Sequence, residues 1–534
     1  PTRTPTPIPP PTAAFTYTPA TPFVGDGVQF TNGSTGVYTS SLWNFGDGGT
    51  STQTHPTHSY RQAGSFTVTL VVSGPGGSSQ TQRTVTVRQP EPPRLVPVIA
   101  RVAGIGTPWR SDVVLANPAD SPLSLTLAYK GSGQSTTLTR NLVLPARASV
   151  LYEDAVQALF GAGDGRGSLR ITPPREGPSP AVFSRTFSVE GGLRLGQGVV
   201  GAQPLPAGSY LTTGLLEDER FRTNLGVTAG SQQVTVTFEL YRGNEGKVAT
   251  VSRSVGPYDQ QQWRFPDLFP GLARPDVPMT VRFTLSAPGL PWASVVDQKS
   301  HDAVFVLGQA ATAQWVVPVV ASVQGVVFWD TDLGLVNLGT ASTTVMLEFL
   351  PENRDNSSGG TARASLVLAP GSTALAKNVL GNLLHVTNTK GQLRVGASQP
   401  LAVFCRIYTS APGGGTYGQG IPALPLGSFS SGARTLAGVR TRDGYRSNLG
   451  FVTSGTRVNA VARLYDASGA LLATRTNLSI PPYSLQQFRL QDLFPGAPDP
   501  NPVGSIQVVP TGPMAVYLSV VDGTSQDPVL LLAP

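Results

Sequence analysis

Four histidines and a single cysteine are all the imidazole and thiol in this 534-residue chain. Hydrolysis needs a nucleophile with a base beside it, or a metal with its ligands, and the spacing here supplies neither. His55 and His58 sit close together, His301 and His385 stand apart, and no His-Glu-x-x-His pair occurs. A Gly-x-Ser-x-Gly elbow is also missing, and one cysteine cannot build a thiolate zinc site or an intrachain disulfide. Cys405 lies in Ala402-Val403-Phe404-Cys405-Arg406-Ile407-Tyr408, which alternates like a strand, and reads as a small buried residue equivalent to Ser184. No catalytic residue, cofactor or metal is expected.

Oxygen donors are the more serious candidates. Asp330 with Asp332, Asp297 with Asp302, Asp522 with Asp527, and Asp164 could offer carboxylates to calcium, but none shows the dense alternating aspartates of a calcium loop. Turn formation through the Asp side chains is the expected role. Polar residues that recur are a different matter. Arg222, Asn224, Arg264 and Asp297 return as Arg446, Asn448, Arg489 and Asp522. Such a set is either a duplicated binding site or a set of loop and edge contacts, with Asn and Asp satisfying backbone groups and Arg forking onto a carboxylate. Arg222, Asn224, Trp263, Arg446, Asn448 and Phe488 are accordingly the candidate ligand or inter-module contacts. Trp109, Trp263, Trp292, Trp315 and Trp329 could stack on sugars, although core packing is the commoner use of tryptophan.

These residues sit in a chain built of strands. Sixty Gly and 48 Pro accompany only 13% charged residues, the profile of many short strands joined by tight turns. Helical periodicity is confined to short pieces near 154–160 and 267–269. Between residues 13 and 89, Phe66, Val68, Leu70 and Val72 alternate with Thr67 and Thr69, so one face enters a core. Trp43-Asn44-Phe45-Gly46-Asp47-Gly48, then Pro56-Thr57-His58-Ser59-Tyr60, then Ala63-Gly64-Ser65-Phe66-Thr67-Val68-Thr69-Leu70 follow in order. In that order and spacing the segment resembles a PKD (polycystic-kidney-disease-type) domain. The resemblance implies an immunoglobulin-like sandwich without catalytic activity, of the kind that serves as spacer or adhesive module in extracellular proteins.

After Gln89-Pro90-Glu91-Pro92-Pro93 the chain duplicates itself. Phe221-Arg222-Thr223-Asn224-Leu225-Gly226-Val227 returns as Tyr445-Arg446-Ser447-Asn448-Leu449-Gly450-Phe451, and Asp267-Leu268-Phe269-Pro270-Gly271 as Asp492-Leu493-Phe494-Pro495-Gly496, at a constant offset of about 225 residues. Val96-Pro97-Val98-Ile99-Ala100 matches Val317-Pro318-Val319-Val320-Ala321 more loosely. Each unit divides again into parts of sandwich size. The expected organisation is all-β, tandem immunoglobulin-like β-sandwiches: a Pro/Thr-rich extended arm at 1–12, a PKD-type domain at 13–89, and sandwiches A (95–204), B (205–313), A′ (314–423) and B′ (424–534).

Charge and hydropathy bound the partners. The net charge of +7 is spread thinly, with no basic run to track a phosphate backbone, so nucleic acid is not expected. The most apolar stretch, 315–329, is broken by Pro318, Ser322, Gln324 and Gly325, and no transmembrane segment is expected. The chain opens Pro1-Thr2-Arg3-Thr4-Pro5 rather than with Met and an apolar leader, and reads as a mature or trimmed form. The sum is an extracellular structural or adhesive cell-surface protein that self-associates, its arm docking on the next subunit to build a fibre. The alternative is a carbohydrate-binding module array of a secreted polysaccharide-processing system, with polysaccharide as partner.

Overall fold

A computed structural model of the chain describes residues 7–103, 107–360 and 362–533. Two compact units emerge, Pro1–Pro92 and Pro93–Pro534. Nearly every element is a strand, as the Gly- and Pro-punctuated alternation predicts.

In the first unit, a three-stranded sheet (Phe15–Thr18, Gly27–Asn32, Thr57–Ser59) faces a four-stranded one (Thr50–Ser51, Ser40–Asn44, Gly64–Gly74, Gly77–Val87). Val68, Leu70 and Val72 are fully buried on the inner face, beside Trp43, Phe30, Phe45 and Tyr60. The polar ends of two of these aromatics find backbone acceptors: Trp43 Nε1 donates to the Gln53 carbonyl at 2.9 Å and Tyr60 Oη to that of Phe45 at 3.2 Å. Gly46 turns the chain at φ 84°, where a Cβ would also strike the Thr67 carbonyl at 2.7 Å, so the motif requires glycine twice over. Part of the segment read as an arm belongs to this sandwich. Thr12 pairs with Thr35, Pro11 is buried, and the Gly76 backbone lies so close to the Pro9 carbonyl that a Cβ there would overlap it. Residues 1–6 of that arm lie outside the described residues.

The second unit holds two kinds of sheet arrangement, each present twice. In A and A′ one long sheet folds over itself. In A its order runs Thr137–Leu144, Leu123–Gly131, Gly165–Thr172, Arg94–Val102, Trp109–Ala116, Ala181–Glu190, Leu193–Val200, with Ser149–Tyr152 added beside Trp109–Ala116. Leu125 and Leu169 from one end share a core with Val113, Val182 and Val199 from the other. In A′ the same path includes one 22-residue strand, Thr389–Ser410, that serves both halves. Cys405 lies on it, fully buried, and burial holds its thiol well above the ordinary range.

B and B′ are two four-stranded sheets apiece. In B, Gly208–Leu215, Met279–Leu285, Val234–Arg242 and Lys247–Val255 face Gln260–Arg264, Phe221–Ala229, Gly289–Asp297 and Ala303–Leu307. B′ repeats this with Arg434–Val439 through Pro528–Ala533. Among the described residues helix is limited to Ala155–Phe160, Phe265–Leu268 and Leu490–Leu493, with a π turn at Val379–Leu383.

Within Pro93–Pro534 the four sandwiches close a ring. Thr228 of B donates to the Pro97 carbonyl of A at 2.7 Å, and Gly214 of B sits so close to Phe404 of A′ that a Cβ would come within 2.5 Å of its ring. Asn356 of A′ donates to the Tyr483 carbonyl of B′ at 2.9 Å, and Gly438 of B′ meets Phe183 of A as Gly214 meets Phe404. Each A-type sandwich therefore touches both B-type sandwiches.

Candidate functional site

Side-chain alternation on the B sheet decides which recurrent residues meet. Along Phe221–Ala229 the odd positions Leu225 and Val227 enter the core, and the even positions Arg222, Asn224 and Gly226 face outward. Register carries the pattern sideways: Asn224 stands opposite Arg264 on one side and Ser294 on the other, and Gly226 opposite Gln262 and Trp292. In B′, Asn448 stands opposite Arg489 and Ser519, and Gly450 opposite Gln487 and Tyr517.

These outward faces form the walls of two clefts. One, of about 230 Å³, lies between A and B; the other, of about 470 Å³, lies between A′ and B′. Arg222, Asn224 and Arg264 line the first and Arg446, Asn448 and Arg489 the second, so four of the six candidate residues stand in equivalent positions in two equivalent clefts. Each A-type sandwich adds a further cation, Arg166 or Lys390, and a half-buried tryptophan, Trp109 or Trp329.

Trp263 and Phe488 are placed otherwise. Being odd and even neighbours of the cleft residues on the opposite sheet face, they pack inward, Trp263 edge-on against Phe238 at 5.5 Å and Phe488 against Phe451 at 6.1 Å. Trp292 and Trp315 are buried as well.

The floor explains the repeated Asn-Leu-Gly. Trp292 lies flat across Gly226 and Tyr517 across Gly450, and a Cβ on either glycine would come within 2.1 Å of the ring. Glycine is thus required for an aromatic floor rather than for a turn. Tyr517 Oη donates to Gln487 Oε1 at 2.6 Å, whereas the Trp292 Nε1–H is buried without a partner. Ser294 hands a hydrogen bond to Gln197 of A at 2.8 Å, and Ser519 does the same to Gln419 of A′ at 3.5 Å, so the sandwiches are joined at the same point in both clefts.

Electrostatically the clefts are basic. Burial, and then the neighbouring Arg264, lower the pKa of Arg222; burial and then Arg489 do the same to Arg446. Among the described residues no carboxylate comes within ion-pair distance of Arg166, Arg222 or Arg264. Glu217 interacts electrostatically with Arg264 and Arg222 at longer range and accepts from the Thr223 N–H at 2.5 Å, and burial raises its pKa. In the second cleft Lys390 pairs with Glu352 at 3.3 Å, and Asp492 stands in the wall.

The recurrent aspartates do other work. Asp297 Oδ2 accepts from the Thr416 N–H at 2.9 Å and from its hydroxyl at 3.0 Å, and Asp302 Oδ2 accepts from the Gly418 N–H at 2.7 Å, all across the B–A′ boundary. At the A–B′ boundary Asp527 Oδ2 accepts from Arg185 at 2.7 Å and from the Gly196 N–H at 2.9 Å, with Asp522 3.9 Å from the same guanidinium. The other oxygens of Asp297 and Asp522 form the turns expected from sequence, with Lys299 N–H to Asp297 at 3.0 Å and Thr524 N–H to Asp522 at 2.9 Å, whereas Asp302 Oδ1 and Asp527 Oδ1 are buried without a partner. Sequence reasoning missed Arg185 and Arg406 as partners of these aspartates. A signal was present, since Ala181-Val182-Phe183-Ser184-Arg185 returns as Ala402-Val403-Phe404-Cys405-Arg406, an arginine kept in both copies of an apolar strand.

Two small sheets closed over an aromatic core make the first unit an immunoglobulin-like sandwich. Residues 8–88 match the family model described as PKD domain, and the N-terminal domain is a PKD domain. Collagenase ColA of Bacillus cereus is 38% identical over 107 residues, 18% of this chain and 11% of that protein. The pre-pro-metalloprotease PrtV of Vibrio cholerae is 50% identical over 58 residues, 11% of this chain and 6% of that protein. The crystal structure of the PKD1 domain from the Vibrio cholerae metalloprotease PrtV is 39% identical, with 15% of this chain and 96% of that chain covered and a TM-score of 0.13. The matched segments thus span about a tenth or less of those curated relatives.

Proposed function

We propose that this chain is an extracellular adhesive protein whose sandwiches hold and bind without catalysing. PKD domains occur in secreted bacterial proteins such as collagenases and proteases, which supports the location and an accessory role. No helix among the described residues is long and apolar enough to cross a membrane. The chain's imidazoles are dispersed, His55 and His58 in the PKD domain, His301 in B and His385 in A′. Self-association through the arm belongs to this reading, and because Ile8 to Thr12 are engaged within their own domain, it would use residues ahead of Ile8. Electron microscopy of the purified chain with and without residues 1–7 tests that part, since filaments unchanged by the deletion overturn it.

One observation favours polysaccharide as the ligand: two equivalent clefts, each walled by cations and amides and lined by aromatics, held in one ring. Sugar sites combine an apolar ring face with planar hydrogen-bonding groups, and these walls offer both. Two sites on one rigid body multiply retention on a repeating polymer without new contacts. Co-sedimentation with insoluble polysaccharides tests the reading; a chain left wholly in the supernatant by every polysaccharide overturns it.

A further inference from the structure

Three cations converge in the cleft between A and B: Arg166 from the A sheet, Arg222 and Arg264 from adjacent strands of B. The arrangement is costly as it stands. Like charges brought together in a partly desolvated cleft repel, and guanidiniums placed so ordinarily have carboxylates across from them. Here none lies within ion-pair distance among the described residues. A solvated basic surface would account for one such arginine. It does not account for the same pair recurring as Arg446 and Arg489, in the same strand register and beside the same asparagine. A second feature points into the first cleft: Trp292, 1% exposed and part of the lining, keeps its Nε1–H without an acceptor. A buried indole N–H left unpaired is unfavourable, so the floor of this cleft carries an unmet donor.

We infer that the paired clefts bind an anionic polysaccharide, with the carboxylate or sulfate of an acidic sugar seated between the two arginines of each B-type sandwich and the ring against the cleft tryptophan. This inference rests on the polysaccharide reading above and narrows its ligand class. Guanidinium forks match the planar oxygens of a carboxylate and the tetrahedral oxygens of a sulfate, and charge-assisted hydrogen bonds are about twice as strong as neutral ones. The asparagine amide beside each pair, Asn224 or Asn448, suits a neighbouring hydroxyl. An acidic polypeptide satisfies the arginines but has no ring to lay on Trp109 or Trp329, so the saccharide is the better fit. The two clefts differ in their acidic neighbours: Glu217 interacts electrostatically with Arg222 and Arg264 in the first, whereas Glu352 pairs with Lys390 and Asp492 stands in the wall of the second.

The test uses the full chain on immobilised polygalacturonate, dextran sulfate, neutral dextran and polyglutamate. Retention is expected on one or both acidic polysaccharides, the preferred one naming the anion, and should weaken as salt rises. The double variant R222Q/R264Q should lower that affinity by about tenfold or more. R446Q/R489Q should lower it too, and R253Q, a half-buried arginine on the far sheet of B, should leave it unchanged. Near-ultraviolet circular dichroism confirms that each variant is folded. Equal retention on neutral dextran, indifferent to the arginine variants, overturns the anion assignment and leaves the polysaccharide reading standing. Tighter retention on polyglutamate overturns the saccharide assignment, and no retention on any polysaccharide overturns the underlying reading itself.

Discussion

Arg185 and Asp527 meet at 2.7 Å from positions 342 residues apart, with the Asp527 side chain wholly shielded from solvent. The pair ties the last strands of the chain to a strand of the first A-type sandwich. Arg406 and Asp302 occupy the equivalent place at the other boundary, at a looser 3.7 Å, and there Arg220 adds a contact to Asp297 at 3.4 Å. Duplication and closure thus have one mechanism: each half offers an aspartate-bearing hairpin to the arginine-bearing strand of the other. Rings of this kind keep the two clefts at a constant separation, which is what bivalent retention requires.

Removing one partner from a buried ion pair leaves the other charged and unpaired, typically at a cost of about 3–5 kcal/mol. Arg185→Ala should therefore destabilise Pro93–Pro534 by that order, exposing Asp527 and Asp522 to each other without a cation. Arg406→Ala should cost less, because its pair is longer and Arg220 remains. Urea unfolding followed by tryptophan fluorescence checks the ranking. Equal, negligible shifts in both variants would show that the boundary pairs do not hold the ring.

Acid should stabilise this unit over part of its range. Burial raises Asp527 to about 6, despite Arg185, and Asp522 adds to the rise. Burial also raises Asp302 well above its ordinary value, with Asp527 as the second cause, opposed by Arg406. Asp112 is raised to about 6, again by burial first, with Arg194 opposing. Above about 6 the folded and unfolded chains hold Asp527 and Asp112 equally ionised, and their burial penalty is complete. Below it the folded chain binds protons that the unfolded chain, with carboxyls near 3.8, does not. Stability therefore rises as pH falls from 7 toward 5, by on the order of 1 kcal/mol for each of these two groups. Urea midpoints measured at pH 7 and pH 5 should show the increase, and Asp527→Asn should diminish it. A midpoint that falls over this interval contradicts the assignment.

Gly226 and Gly450 test the aromatic floors. A methyl group on either must displace a ring that lies within 2.1 Å of it, and such overpacking typically costs about 1–3 kcal/mol. Gly226→Ala should alter the near-ultraviolet signal of Trp292, and Gly450→Ala that of Tyr517, each with a lowered unfolding midpoint. Alanine at half-buried Gly256, where a Cβ meets nothing within 4 Å, is the matched control and should leave both unchanged.

Much of this was legible in the chain. The alternation around Phe66 to Val72 and the Trp43-Asn44-Phe45-Gly46-Asp47-Gly48 motif carry the PKD sandwich, and the constant offset carries the duplication. Arg222, Asn224, Arg446 and Asn448 stood out because both copies hold them. Which side of the sheet each occupies was the missing step. Trp263 lies one residue from Arg264, and a single position on a strand moves a side chain from cleft to core. The ring was less legible still. Its contacts join residues hundreds of positions apart, and nothing local marks Arg185 as the partner of Asp527. Gly214 and Gly438, each at positive φ within a strand, permit the close approach of Phe404 and Phe183 across the boundaries.

The reciprocal boundaries make the second unit two like halves, A–B and A′–B′, associated as the subunits of a two-fold dimer would be. Cutting between Ala310 and Ala311, both exposed, would sever one connection and leave every inter-half contact in place. Arg185 to Asp527, Thr416 to Asp297, Gly418 to Asp302, and the Gly214–Phe404 and Gly438–Phe183 approaches all run between halves and need no peptide bond there. Fragments 93–310 and 311–534, expressed together, should therefore co-purify as a one-to-one complex. Size-exclusion chromatography with light scattering reads the outcome, and Arg185→Ala with Arg406→Ala should weaken the complex. Because the halves are related by duplication, each fragment alone should also form homodimers, with weaker boundaries wherever the two copies have diverged. Halves that fold but remain separate monomers, alone and together, would mean that covalent linkage rather than the reciprocal boundaries closes the ring.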